Sequence, residues 1–202
     1  HNFLLIGTEE MNMPRGRPRI HDEQAVLDAT LAVLWRQGIH GISLNQLSEE
    51  TGIPKPVLSN TVGCKDELIA RALEHYRERY RDAVSEALSS AESLSELVRN
   101  YLSIFADLQT EPNSPGGCFM ASANADCAHM TSGPIRDTLD RINTESAAEL
   151  SDALMRLAVD DPNTIARYIS GQALAMASQS RMGASREALE VFIVLAEKAL
   201  AS

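Results

Sequence analysis

Two short segments joined across a glycine, Ser43–Thr51 and Pro54–Val62, constrain this chain more than any other feature. Leu44 and Leu47 give the first segment one apolar face, and Ile53, Val57 or Leu58, and Val62 can pack back onto it. Gly52 supplies the backbone freedom that a tight turn after Thr51 requires. The spacing therefore predicts a helix, a turn and a second short helix over residues 43–62. A unit of this kind presents the exposed side of its second helix, which suits insertion into a DNA major groove.

The flanks turn the motif into a longer register. Upstream stands Val26-Leu27-Asp28-Ala29-Thr30-Leu31-Ala32-Val33-Leu34, closed by Arg36-Gln37-Gly38-Ile39; downstream, Val62-Gly63-Cys64-Lys65-Asp66-Glu67-Leu68 opens a long helix. This order resembles the amino-terminal domain of the TetR family of one-component transcriptional regulators over about residues 22 to 75. The resemblance implies an all-α protein of about nine helices. A three-helix DNA-binding domain would span 22–68 and a larger helical domain for ligand binding and dimerisation 69–202, after a flexible arm at 1–21. Three departures from the family pattern stand out: it usually has Tyr where this chain has Ser59 and Phe where it has Val62, and Pro54 and Pro56 flank Lys55, removing amide donors for a phosphate. The hydroxyl that commonly grips a phosphate is then missing, which affects operator sequence and contact strength rather than fold.

Charge has to be divided along the chain to be informative. The net value is −10, yet residues 14–82 carry ten basic and ten acidic side chains, while residues 83–202 carry eight against sixteen. The acidity belongs mainly to the carboxyl-terminal part, where repulsion from DNA does no harm and can orient the protein. Hydrophobic residues make up 44% and aromatics only 4%, enough for a core built by aliphatic helix packing. There is no apolar run of membrane-spanning length, and Phe3-Leu4-Leu5-Ile6 is too short for a signal peptide. His1 occupies the first position, with Met11 and Met13 as alternative starts. Cys64, Cys118 and Cys127 are an odd number without metal-ligand spacing, which suits a reduced cytoplasm; no cofactor, metal or membrane partner is expected.

Further helices are expected from Asp22 to Gln37, from near Cys64 to about Leu88 and from Leu94 to Gln109. Others are expected from Cys118 to His129, through Ile135–Leu157, and over about Asn163–Met182 and Ser185–Leu200. Glu111-Pro112-Asn113-Ser114-Pro115-Gly116-Gly117 is the clearest loop. No β-alternating run and no internal repeat interrupts this pattern.

Carried over position by position, the resemblance places Lys55, Val57, Ser59, Asn60 and Thr61 toward DNA, with Leu58 and Val62 toward the core. Ser43 would cap the first helix of the motif and offer its amide end to a phosphate, and Lys65 would contact a phosphate at the long helix. Arg15, Arg17 and Arg19 lie in a basic Pro/Gly-broken arm suited to a narrow minor groove, or equally to a solvated leader. For an effector cavity the side chains to consider are Phe105, Cys118, Phe119, Met120, Tyr168 and Met176, any of which also suits ordinary core. Cys118 at a helix start would have its thiolate stabilised by the macrodipole, whereas the company of Phe119 and Met120 argues for a buried, inert thiol, the reading preferred here. For a two-fold helical interface the stripes of the last two helices offer Ile169, Ala173, Leu189, Phe192, Leu195 and Ala196.

The expected function is a homodimeric, ligand-responsive DNA-binding regulator. Its expected action is that of a repressor released from a palindromic operator in double-stranded DNA by an unknown small-molecule effector. Activation on the same fold and a helical module without DNA binding are the rivals. An enzyme would need a nucleophile with its base, a phosphate loop or a metal cluster, and the sequence contains no such constellation.

Overall fold

The computed structural model describes residues 22–200, with the side chains of Thr61 and Val62 left aside. Among the described residues there are nine helices and no strand: α1 (Glu23–Gln37), α2 (Leu44–Thr51), α3 (Lys55–Val62), α4 (Lys65–Ser90), α5 (Leu94–Gln109), α6 (Phe119–Asp126), α7 (Pro134–Arg156), α8 (Pro162–Arg181) and α9 (Arg186–Leu200).

Three starts have a side-chain cap as their local cause. Asp22 accepts the Gln24 amide at 3.2 Å, and Ser93 accepts the Glu96 amide at 3.2 Å. Asp161, itself left-handed at φ 51°, accepts the Thr164 amide at 3.3 Å ahead of Pro162. These side chains satisfy amide donors that the first helical turn leaves without a partner. The break between α2 and α3 is made by Gly52, left-handed at φ 69°. One expected helix is shorter than its composition suggested: α6 stops at Asp126 rather than His129. Cys127 leaves the helical region, and the amides of Ala128 and Met130 turn back onto the carbonyls of Ala125 and Cys127.

The buried side chains form two cores. The first takes Val26, Leu31, Leu34 and Trp35 of α1, Leu47 of α2 and Leu58 of α3. It does not end with the motif, but continues through Leu68, Leu73 and Tyr76 of α4, Phe119 and Ala123 of α6, and Leu139 and Ile142 of α7. The second lies where the far half of α4 meets α5, α7, α8 and α9, and includes Val84, Leu97, Leu102, Leu150, Ile169, Met176, Leu189 and Ile193. Tyr80 packs against both.

Polar ties reinforce the packing of α4 against α1 and α7. Buried His75 of α4 donates from Nε2 to Asp28 Oδ1 of α1 at 2.6 Å and takes Gln24 on its other nitrogen at 3.3 Å. Buried Arg77 bridges to Glu145 and Glu149 on α7. At the end of α1, Gly38 has φ 88°, and a Cβ there would stand 2.7 Å from Asp126 Oδ2. Glycine is therefore needed twice over, for backbone sign and for room.

Candidate nucleic-acid interface and effector cavity

α2 is a short helix held by a specific cap, and α3 is a short helix that begins without a side-chain cap. Ser43 forms a capping box with Gln46: its hydroxyl accepts the Gln46 amide at 3.2 Å while its own amide donates to Gln46 Oε1 at 2.9 Å. Thr51 Oγ1 accepts the Ile53 amide at 3.2 Å and Ser48 donates to the Ile53 carbonyl at 2.7 Å, so the turn is locked from both sides. α3 opens after Pro54, where the missing proline amide costs nothing because first-turn donors lack helical partners anyway. Leu58 points into the first core and is fully buried, which fixes how α3 is rotated.

That rotation leaves Lys55, Ser59 and Asn60 exposed on the outer face. Lys55 has no ion pair or hydrogen bond among the described residues, so its ammonium is available. Val57, expected on the outer face, is half-buried and packs in part against the first core. The side chain of Thr61 lies outside the described residues, as do Arg15, Arg17 and Arg19. Ser43 is exposed at the start of α2. Lys65 donates from Nζ to the Ile42 carbonyl at 3.2 Å and lies 3.7 Å from Asp66. It therefore clamps the start of α4 to the entrance of α2, and any phosphate contact would be shared with that duty.

Between α4, α5, α6, α7 and α8 lies a cavity of about 560 Å³, within the usual range for small-molecule sites. One wall is aromatic: Tyr80 packs edge-on to Phe105 at 5.5 Å and Tyr101 lies 4.9 Å from the same ring. Cys118, Met120 and Ile142 extend it. The facing wall is polar, with Asn143, Ser146 and Ser151 of α7 and Asn163, Arg167 and Ser170 of α8. Gln109 closes one side, its Nε2 donating to the Ala173 carbonyl at 3.1 Å while Oε1 is buried without a partner.

Of the cavity side chains expected from sequence, Phe105, Cys118 and Met120 line it. Phe119 and Met176 do not: both are fully buried, Phe119 in the first core against Trp35 and Tyr76, Met176 in the second. Tyr168 packs against the second core on the other side of α8. Sequence reasoning missed Tyr80, Tyr101, Gln109 and Arg167. The available signal was a polar stripe at helical spacing, Asn143-Ser146-Ser151 on α7 and Asn163-Arg167-Ser170 on α8.

Electrostatics keep the aromatic wall neutral. Burial, the largest cause, raises the hydroxyls of Tyr76, Tyr80 and Tyr101 well above the ordinary tyrosine range, with the nearby Cys118 thiol adding to it. Cys118 caps α6 and receives the Tyr76 hydroxyl at 3.7 Å. Burial pushes its thiol up, and the opposing pull of the Ala121 and Met120 amides and of the Tyr76 hydroxyl does not overcome it. The amide donors at a helix start are present, but desolvation is the larger effect. Cys118 is a neutral wall group.

The expected interface stripe also divides. Ile169, Leu189 and Ala196 are fully buried in the second core and so cannot meet a partner, and Ala173 faces the cavity. Phe192 is half-buried and Leu195 is 57% exposed. The exposed large apolar side chains of these two helices are Leu174, Val191 and Leu195. The stripe was displaced because inward and outward faces of α8 and α9 are both aliphatic.

Among the described residues no helix is long and apolar enough to cross a membrane, and no group of three or more His, Cys, Asp or Glu is placed to hold a metal ion. A capped helix-turn-helix with a free outer face, built onto a helical body with a cavity, defines a DNA-binding regulator with a sensory domain. No family model matches the chain. It is 27% identical over 190 residues to the HTH-type transcriptional repressor ComR of Escherichia coli (strain K12), covering 90% of each. A cysteine mutant of the TetR family transcriptional regulator CifR, complexed with 26bp double-strand operator DNA, superposes with a TM-score of 0.78 at 26% identity, covering 92% of this chain and 100% of that one. SCO4454, a TetR-family regulator from Streptomyces coelicolor, shares the fold with a TM-score of 0.75 at 16% identity over 91% and 98% of the two chains. In sequence and in fold the chain is similar to TetR-family transcriptional regulators.

Proposed function

We propose that the protein is a homodimeric repressor, acting in the cytoplasm, that is released from a palindromic operator when an effector fills the cavity. The observation that carries this reading is the pairing of an exposed α3 face, Lys55, Ser59 and Asn60, with a cavity whose walls reach the same body of packed side chains. Residues 22–68 read DNA and residues 69–202 bind the effector and dimerise. This is a division of labour across one continuous first core rather than a division of cores. One recognition helix reads only a few base pairs, so specificity calls for two, related by symmetry. Leu174, Val191 and Leu195 supply the self-complementary apolar surface for that pairing.

Two hydrogen-bonded ties give the effector domain a purchase on the DNA-binding helices. Asp126 at the end of α6 holds the Ile39 amide, and Arg181 at the end of α8 reaches the Arg36 carbonyl at 3.3 Å as well as the carbonyls of Pro115 and Gly116. An occupant that shifts α6 or α8 moves the end of α1 and, with it, the spacing of the two α3 helices. The protein has no catalytic role in this reading. A mobility shift on the promoter region beside the protein's own coding sequence is the test. Specific retardation that a bound effector abolishes supports repression, and absence of any sequence-specific shift sinks the reading.

A further inference from the structure

The effector cavity has a charge character that the rest of the chain does not share. The sequence carries 28 acidic side chains, yet among the described residues that line the cavity none is acidic. The one charged wall residue is Arg167. Every other described arginine is engaged. Nine are in ion pairs, among them Arg77 with Glu145 and Arg186 with Asp107. Arg156 and Arg181 donate to backbone carbonyls instead. Arg167 alone among the described residues of its type has neither an ion pair nor a hydrogen bond. It acts electrostatically on Asp161 without forming an ion pair: that carboxyl is held below its ordinary range mainly by Thr164 and only lastly by Arg167.

Free neutral donors stand on the same walls. The hydroxyls of Tyr80 and Tyr101 and of Ser146 and Ser170 have no hydrogen-bond partner among the described residues. We infer that the cavity takes an organic monocarboxylate with a flat apolar body, the carboxylate meeting Arg167 and the body lying on Tyr80, Tyr101 and Phe105. A guanidinium fork matches a planar carboxylate through two parallel hydrogen bonds. A doubly charged phosphate would leave one charge uncompensated, since no second Lys or Arg lines the cavity among the described residues. A cation would meet Arg167 with no carboxylate to receive it. Burial also keeps the cavity's tyrosines and Cys118 protonated, so they add no negative charge against an anion.

This inference rests on the cavity being the effector site of the regulator proposed above, and its test separates the two. Calorimetric titration compares 2-naphthoate, 2-naphthamide and 2-naphthylmethylammonium, which share one body and differ in charge. Because Arg167 is exposed and partly screened, the acid should bind about tenfold more tightly than the amide, and the ammonium weakest. R167Q should bring acid and amide to within about threefold, while R167K, a point charge without the fork, keeps an intermediate preference. Light scattering and circular dichroism establish that both variants keep the parent's assembly and fold. Equal or tighter binding of the amide or ammonium, no binding of the acid, or an acid preference that survives R167Q overturns the inference. The regulator reading fails separately, if the parent protein does not shift its own promoter DNA; the charge preference is read without DNA present.

Discussion

The carboxylate of Asp126 accepts the backbone amide of Ile39 at 2.8 Å, which joins the last residue of α6 to the turn that follows α1. Gly38 makes the approach possible, because a side chain there would occupy the carboxylate's place. The bond spans 87 positions of sequence and connects the cavity wall to the DNA-binding helices.

Asp126→Ala removes the acceptor and leaves the Ile39 amide unpaired. Thermal unfolding should register a loss of about 1–2 kcal/mol, and an effector should release DNA less effectively at equal occupancy. Asp126→Asn retains an acceptor oxygen and should stay close to the parent on both measures. If the alanine variant responds to effector as the parent does, the tie carries no signal.

On the DNA face, Lys55→Ala removes a free ammonium and should weaken binding alike on all sequences, lowering the salt slope by about one. Asn60→Ala should instead change the ranking of operator variants, because an amide reads base edges. Lys65→Ala should cost stability as well as affinity, since Nζ also holds the Ile42 carbonyl. Binding isotherms at several salt concentrations, set beside melting curves, separate these effects. An unchanged operator ranking in the Asn60 variant means that α3 is turned differently on DNA.

The cysteines should react in order of access. Cys64 is exposed, Cys127 is buried, and the Cys118 thiol is raised by burial despite its place at a helix start. A colorimetric disulfide reagent should therefore modify Cys64 first in the native protein. Cys118→Ser should keep operator binding, with a modest stability loss. Loss of effector response in that variant, with fold and affinity intact, would make Cys118 a sensing group.

Alkaline titration tests the buried hydroxyls. Tyr76, Tyr80 and Tyr101 are raised in the folded state from 10.0, so the native protein holds protons that the unfolded chain releases above that pH. Stability is unaffected below pH 10 and falls as pH rises beyond it, by up to about 1.4 kcal/mol per pH unit for each tyrosine. Circular dichroism melts between pH 9 and 11 should show the decline beginning near 10. A flat profile would place these hydroxyls in contact with water.

A dimer built on α8 and α9 should fail when charge enters its apolar surface. Leu195→Glu, at a position 57% exposed, leaves the second core untouched and should halve the mass measured by light scattering. Operator affinity should fall with it, because half-sites then bind singly. A variant that remains dimeric places the interface elsewhere.

How much of this was legible in the residues varies with the physics that decides each part. α5 runs from Leu94 to Gln109 as its apolar stripe predicted, with Ser93 as cap, because local sequence fixes both ends. The helix-turn-helix was equally readable, from Ser43 and Gly52. α6 was overextended, since alanine-rich residues 125–129 suit a helix and only tertiary placement of Cys127 ends it. Cavity and core could not be told apart by composition. Phe105 and Phe119 are the same residue type, yet one faces a void and the other faces Trp35. Nor does an aliphatic stripe reveal its own direction, so Ile169 and Leu195 looked alike until the packing separated them.

The first core, running unbroken from Val26 on α1 to Ile142 on α7, limits how such a protein can be rebuilt. Exchanging reading heads between relatives by a single crossover near residue 68 would leave Leu34, Trp35 and Leu58 facing foreign versions of Phe119, Ala123 and Leu139. If the outer face of α3 reads the operator, as proposed, new preferences are accessible by changing that face alone. Transplantation of the whole head requires the α6–α7 seam to travel with it, so in this chain the portable unit is discontinuous.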